Sequence, residues 1–376
     1  MHYPNCRRKC GYCDFATVVE TDFDDRAYVD SLIAEMQGRA QDYSEAGDLH
    51  SIFFGGGTPS LCPAAELARV IDAARETFSF ASYVEITVEA NPGTVDAEAF
   101  AALKRAGVNR LSFGIQSLDD ELLRRLTRIH DSAAAVSAFG LAREAGFENI
   151  SCDLIFGIHG QKLESHLEQV AAFISLGPEH LSTYALTLSE TSPLYRQGKR
   201  PASSDLSAEM MSRGRALLVN AGFEHYEVSN FARPGRPCLH NSMVWQGYPY
   251  LGLGPAAHSL VGNGPFGGFR LANPGLKTFL EADWDGGPPR HLRRTQVEPV
   301  DMQTLAYEGL FLGLRLNSGV DRALFRSRFG YDPADRFGEA FQELEAAGLI
   351  ELGPDRIRPT LRGLYFADDV ALRLGR

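Results

Sequence analysis

Three of the six cysteines stand within eight residues, in the run Cys6-Arg7-Arg8-Lys9-Cys10-Gly11-Tyr12-Cys13. Thiols crowded in this way have three uses. They can form disulfides, but a large chain without an export signal belongs to a reducing compartment, where such spacing more often serves metal or redox chemistry. They can bind zinc, but a structural zinc site wants four ligands, usually as two separated pairs, and Cys62 would have to supply the fourth. They can hold a [4Fe–4S] cluster through three thiolates, which leaves one iron open to an outside ligand. The count of three favours the last use.

Further polar signals recur along the chain. They are residues 55–60, Glu89-Ala90-Asn91-Pro92, Gly114-Ile115-Gln116, Asp153 and Tyr184-Ala185. Each sits at the end of a short apolar stretch that reads as a strand: 50–54, 83–89, 110–116, 149–156 and 181–188. Between these strands, residues 26–46, 63–78, 96–106, 132–145, 162–176 and 206–221 carry helical periodicity, several with a glycine as stop. Strands alternating with helices of this length imply an α/β fold with a parallel sheet, and functional residues gather at the C-terminal ends of such strands. Each signal alone reads as a turn or a cap. Five in register around one mouth read as a site.

The chain has 376 residues, and its 37 Lys and Arg against 48 Asp and Glu give a net charge of −11. That length suggests two or three domains. The acidic balance argues against general nucleic-acid binding, which needs a basic surplus. No apolar run approaches the ~18–20 residues that span a bilayer, and no signal peptide opens the chain, so a cytoplasmic protein is expected. Arg7, Arg8 and Lys9 are a cationic exception beside the cysteines.

Residues 223–300 are richer in Gly, Pro and aromatics. Pro234-Gly235-Arg236-Pro237 and the tract 262–268 read as irregular connections, and Gly286-Gly287-Pro288-Pro289 as a linker. Beyond it, 301–315, 321–329 and 334–347 read as helices, followed by a β-like piece at 350–358 and a final helix. This is the pattern of a small winged-helix-like α+β module, expected to serve packing and not DNA. The domain reading is therefore 1–222, 223–300 and 301–376.

The motifs taken together resemble one family. The CxxxCxxC spacing at Cys6, Cys10 and Cys13 is followed by Gly55-Gly56-Gly57-Thr58-Pro59-Ser60, Glu89-Ala90-Asn91-Pro92-Gly93, Gly114-Ile115-Gln116-Ser117, Arg128-Ile129-His130 and Asp153-Leu154-Ile155-Phe156-Gly157. This resembles the oxygen-independent coproporphyrinogen oxidase-like branch of the radical SAM proteins, and the likeness covers nearly the whole chain. Within that branch it is most similar to the HemW haem-chaperone group. Phe15 stands where the dehydrogenases have a fourth cysteine, and His240-Asn241-Ser242-Met243-Val244-Trp245 resembles the HNxxYW motif of that group, with Val244 in place of its Tyr. Only five residues precede Cys6, so the first barrel strand is expected to be shortened, with the edge of its neighbour exposed.

The resemblance implies a partial (β/α)6 barrel with a winged-helix-like C-terminal domain. It implies a [4Fe–4S] cluster on Cys6, Cys10 and Cys13 whose free iron takes the amino and carboxylate groups of S-adenosylmethionine (SAM). Gly56, Gly57 and Thr58 would meet the methionyl group, Glu89 the ribose hydroxyls, and Gln116, Arg128 and Asp153 the remaining polar contacts. Ala185 would line the adenine site and Tyr12 would pack beside the cluster. His240 is the candidate haem-iron ligand, with haem as cargo. Implied partners are haem-accepting proteins and a reductant such as flavodoxin, with peripheral membrane contact and a homodimer as further expectations. SAM turnover would be slight. Competing readings are a coproporphyrinogen III dehydrogenase, a HemN-like methyltransferase and a zinc-stabilised scaffold.

Overall fold

The computed structural model describes residues 1–264, 267–281 and 296–375. Eight strands form one sheet: β1 (His2–Tyr3), β2 (Leu49–Gly56), β3 (Phe80–Ala90), β4 (Arg110–Gln116), β5 (Ile150–Phe156), β6 (His180–Ala185), β7 (Glu224–Glu227) and β8 (Asn230–Ala232). β1 to β6 follow one another in chain order and are all parallel. β8 and β7 extend the sheet antiparallel beyond β6, so it runs on past residue 222. The intervening helices are α1 (Asp25–Arg39), α2 (Ala64–Thr77), α3 (Ala97–Ala106), α4 (Asp120–Arg125), α5 (Ser132–Glu144), α6 (Leu163–Leu176), α7 (Pro193–Arg196) and α8 (Ser204–Asn220). Asp24, Asp96 and Asp131 start α1, α3 and α5 by accepting from backbone amides three residues on. Six parallel strands in chain order with helices between them form the partial (β/α)6 barrel.

Residue alternation along the strands explains the packing. Ile52 and Phe54 of β2, Ile86 and Val88 of β3, and Leu111 and Phe113 of β4 join Leu32, Met36, Val70, Ile71 and Phe100 of the helices in the main core. Each such burial contributes roughly 2 kcal/mol. The alternate set faces the barrel interior. It includes Glu85, Thr87, Arg110 and Ser112, all buried and polar.

The short α9 (Leu239–Trp245) leads into a three-stranded sheet of β9 (His258–Gly264), β10 (Gly267–Ala272) and β11 (Gln296–Val300), with α10 (Leu276–Leu280) after β10. Within the tract expected as an irregular connection, residues 262–264 and 267–268 supply the facing ends of two paired strands. The expected linker at 286–289 lies outside the described residues. The C-terminal module contains α11 (Met302–Gly313), β12 (Val320–Asp321), α12 (Arg322–Phe329), α13 (Pro333–Ala346), β13 (Ile350–Leu352), β14 (Arg356–Pro359), α14 (Leu361–Tyr365) and α15 (Ala367–Leu374). Leu310, Phe325, Phe341, Leu344, Ile350 and Ile357 give it a core of its own beneath a β12-β14-β13 sheet. Among the described residues, no helix is long and apolar enough to cross a membrane.

Several element ends differ from the sequence reading. The helix expected to reach 46 is α-helical to Arg39 and continues as a 3-10 turn over Ala40–Tyr43, while the buried Arg39 side chain turns to Glu35, the Gly252 carbonyl and Ser259. The strand expected to reach 188 stops at Ala185, because Leu186 and Leu188 pack with Tyr12 and Leu122 in a separate cluster. β1 is two residues long and meets only Gly55 and Gly56 of β2. Its other side is covered, since the His2 amide donates to the Leu253 carbonyl at 2.8 Å.

Candidate functional site

The cysteine loop follows β1 and is tied down from three sides. The Cys6 amide donates to Val18 O at 2.9 Å, and the Cys13 amide to Cys10 O at 3.1 Å. The Gly11 amide donates to Thr127 Oγ1 at 2.6 Å. Thr58 Oγ1 lies 3.5 Å from Cys6 Sγ, and Arg128 Nη1 lies 3.3 Å from Cys10 Sγ. Burial pushes the Cys6 and Cys13 thiols up, so both hold their protons at neutral pH in the absence of a metal.

At the end of β2 the backbone passes close beneath this loop. A Cβ on Gly57 would lie 2.7 Å from the Asn5 carbonyl, and Gly56 has φ +111°, so both positions need glycine. The Gly56 amide donates to Glu89 Oε2 at 3.1 Å. Burial first, then the charge of Asp153, pushes Glu89 up to about 7. Burial pushes Asp153 up to about 6, against the Ser182 hydroxyl that favours its charged form.

Arg128 is drawn into the site instead of lying on a helix surface. Its Nη2 donates to Gly114 O at 2.5 Å and to Asn91 Oδ1, and its Nη1 reaches the Tyr12 hydroxyl at 3.4 Å. Its Nε is buried without a partner among the described residues. The turn that delivers it has Thr127 at φ +58°, and Gln116, where the β4–β5 register shifts, has φ +70°. Such strain is held only where the surroundings over-determine it.

Cys6, Cys10, Cys13, Tyr12, Gly56, Gly57, Thr58, Glu89, Gln116, Arg128, Asp153 and Ala185 all line one cavity of about 520 Å³. Every predicted site residue but His240 is therefore brought together. Asn91 was not singled out, although it lies in the quoted motif two residues after Glu89. Its Nδ2 donates to Thr58 Oγ1 at 2.9 Å while its Oδ1 takes Arg128, so it joins the glycine loop to the arginine. Phe15, Ile129 and Tyr184 stand exposed at the rim, with Arg7, Arg8 and Lys9 beside them.

The Radical SAM superfamily model matches residues 1–174, and the HemN C-terminal domain model matches residues 300–366. The chain is 33% identical to the protein named Heme chaperone HemW of Bacillus subtilis, over 98% of this chain and 97% of that one. The chain belongs to the HemW family of radical SAM proteins. It is 40% identical to the HemW of Haemophilus influenzae over 69% of this chain and 68% of the relative. It is also 35% identical to the mouse Radical S-adenosyl methionine domain-containing protein 1, mitochondrial, over 100% of this chain and 86% of that one. The solved structure of the Escherichia coli coproporphyrinogen III oxidase HemN superposes with TM-score 0.83 over 99% of this chain and 88% of that one. At 22% identity that likeness concerns the fold.

Membership of the radical SAM superfamily implies a [4Fe–4S] cluster and SAM, and the residues present fit them. Soft thiol donors, a carboxylate and an arginine fork border one cavity. Among the described residues, no group of three or more His, Cys, Asp or Glu side chains is close enough to hold a single metal ion.

In this HemW-family chain His240 sits elsewhere, at the N-terminal half of β2. It borders a second cavity of about 410 Å³, lined by Phe53, Leu239, Met243, Val244, Tyr250 and others. Its ring is fixed on two sides. Ser51 Oγ lies 3.1 Å from Nδ1, and the Phe53 ring stacks at 4.9 Å between centroids. Its backbone amide and that of Leu239 both donate to the Glu85 carboxylate at 3.1 Å. Burial first, then the N-terminal amine and Arg110, pushes His240 down to about 4. The imidazole is therefore neutral at neutral pH, with its Nε2 free of any protein partner among the described residues.

Proposed function

We propose that this chain is a haem chaperone that binds haem in the second cavity and passes it to haem-dependent proteins, with a [4Fe–4S] cluster and SAM in the first. One observation carries the reading. His240 has Nδ1, ring face and backbone all held by Ser51, Phe53 and Glu85, and its remaining nitrogen is unpaired beside an apolar cavity. Metal-ligating histidines are oriented through their other ring nitrogen in this way. The names of the relatives from Haemophilus and Bacillus point the same way.

In the first cavity the thiolates of Cys6, Cys10 and Cys13 would hold the cluster. When bound, the cluster with SAM supplies one-electron cleavage of a sulfonium C–S bond. The chain positions and shields. Gly56, Gly57 and Thr58 give the methionyl group a close backbone, and Glu89 accepts the ribose hydroxyls. Arg128, held by Asn91 and Gly114, directs its charge toward Cys10. Gln116, Asp153 and Ala185 complete the wall, and Tyr12 closes it beside Leu186 and Leu188. The Arg7, Arg8 and Lys9 loop at the rim suits an acidic reductant such as a flavodoxin, by charge complementarity in an otherwise acidic chain.

One anaerobic, cluster-reconstituted preparation tests the reading through haem titration, SAM cleavage and turnover of coproporphyrinogen III. Stoichiometric haem binding without decarboxylation is expected. Porphyrinogen turnover would assign the chain to the dehydrogenases instead.

A further inference from the structure

β2 runs between the two cavities, and its alternation puts Ser51, Phe53 and Gly55 on the barrel-interior face. Ser51 holds His240 Nδ1, and the Phe53 ring lies against the imidazole with an interplanar angle of 25°. Gly55 comes next and has no side chain. A Cβ there would lie 2.8 Å from Phe53 Cε1 and 3.1 Å from the Glu89 carboxylate. The aromatic edge and the carboxylate therefore both flank the bare backbone of Gly55. Phe53 lines the second cavity and Glu89 lines the first, and neither lines both.

The same carboxylate accepts the Gly56 amide, so it also fixes the start of the glycine loop. A ligand that draws on Glu89 acts on a group that flanks Gly55 beside Phe53, and Phe53 in turn sets the face of His240. The path from Glu89 across Gly55 to Phe53 and His240 is short, and packed paths of this kind carry coupling where they have two discrete arrangements.

We propose that Phe53 is a positioning residue that couples the two cavities, so that SAM in the first raises the affinity of the second for haem. This rests on the assignment of the two cavities made above. Coupling in this direction follows from order. A bound ribose that fixes the Glu89 carboxylate holds the Phe53 ring against His240, and haem then meets an imidazole already oriented. Linkage requires haem to raise the affinity for SAM by the same factor.

The test is a haem titration of the cluster-reconstituted protein, followed by haem absorbance, with and without saturating SAM. The wild-type protein should bind haem at least about fivefold more tightly with SAM, the low end of measured couplings. Equilibrium dialysis of SAM with and without haem should return the same factor. Phe53→Leu keeps apolar bulk but loses the stack. It should still bind both ligands, with the ratio falling to about one; Phe53→Met repeats the measurement should the leucine variant fold poorly. Gly55→Ala, which sets a Cβ against both Phe53 and Glu89, should weaken both ligands together. An unchanged ratio in the Phe53 variants, or haem binding in the wild type that SAM leaves unaltered, overturns the coupling alone. Failure of haem to bind at all overturns the cavity assignment and the coupling with it.

Discussion

Arg128 donates through Nη2 to the Asn91 side-chain oxygen while its Nη1 lies 3.3 Å from Cys10 Sγ. One guanidinium thus joins the end of β3 to the cysteine loop, and Gly114 O gives it a third anchor. Lysine cannot reproduce this fork. Arg128→Lys should lower SAM affinity and cluster retention by about tenfold, the scale on which outer-shell partners act. Iron content and visible absorbance after anaerobic reconstitution measure the second effect, and dialysis of SAM the first.

Glu89 provides a pH signature of the protein without cofactors. Its folded-state pKa of about 7 stands above the ordinary 4.5, so the folded state retains a proton that the unfolded chain releases. The resulting stabilisation is fully present below the unfolded value and is lost as pH rises through the folded one. Stability should therefore fall between about pH 4.5 and about pH 7, with Glu89 contributing on the order of 3 kcal/mol. Urea midpoints across that window should be flatter for Glu89→Gln, with Asp153, held at about 6, supplying part of what remains.

His240→Ala should abolish haem binding, because it removes the free imidazole nitrogen. Ser51→Ala separates orientation from ligation. It frees Nδ1 without touching the donor, and should weaken haem by roughly tenfold. A haem titration with the absorption spectrum recorded throughout distinguishes the two. Unchanged affinity in His240→Ala would reject the ligand assignment.

Gly57→Ala should destabilise the fold as well as the site. The new Cβ would meet the Asn5 carbonyl at 2.7 Å and Pro4 at 3.0 Å, so the backbone ahead of Cys6 must move. A cost of about 1–3 kcal/mol follows from forced overpacking. It would appear as a lower urea midpoint together with reduced iron incorporation.

Much of the first site was legible because its residues announce themselves locally. Cys6, Cys10 and Cys13 are close in sequence, and each glycine or carboxylate motif follows an apolar run whose end is the strand end. Arg110–Gln116 agrees to the residue. The second site was less legible, because its supports are remote. Glu85 holds the His240 amide across 155 positions, and Ser51 holds the ring across 189. No periodicity in 239–245 reveals that this short helix lies against β2. Strand length at 181–188 was misjudged for a related reason. Leu186 and Leu188 are apolar because they meet Tyr12, a contact made by the loop and invisible to alternation.

The cover over β1 has a consequence for the order of assembly. His2 pairs with Leu253, and the Glu35 carboxylate beside it accepts from Gly254 and Asn273. During synthesis at roughly 5–20 residues per second, tens of seconds pass between the emergence of β1 and that of its cover. Until then the outer side of β1 and the Glu35 carboxylate of α1 lack the partners that Leu253, Gly254 and Asn273 supply, whereas the cysteine loop already has its anchors in Val18 and Thr127. A ribosome stalled before residue 250 would therefore carry a barrel whose opening edge is still uncovered, and an uncovered edge is a template for pairing with another strand.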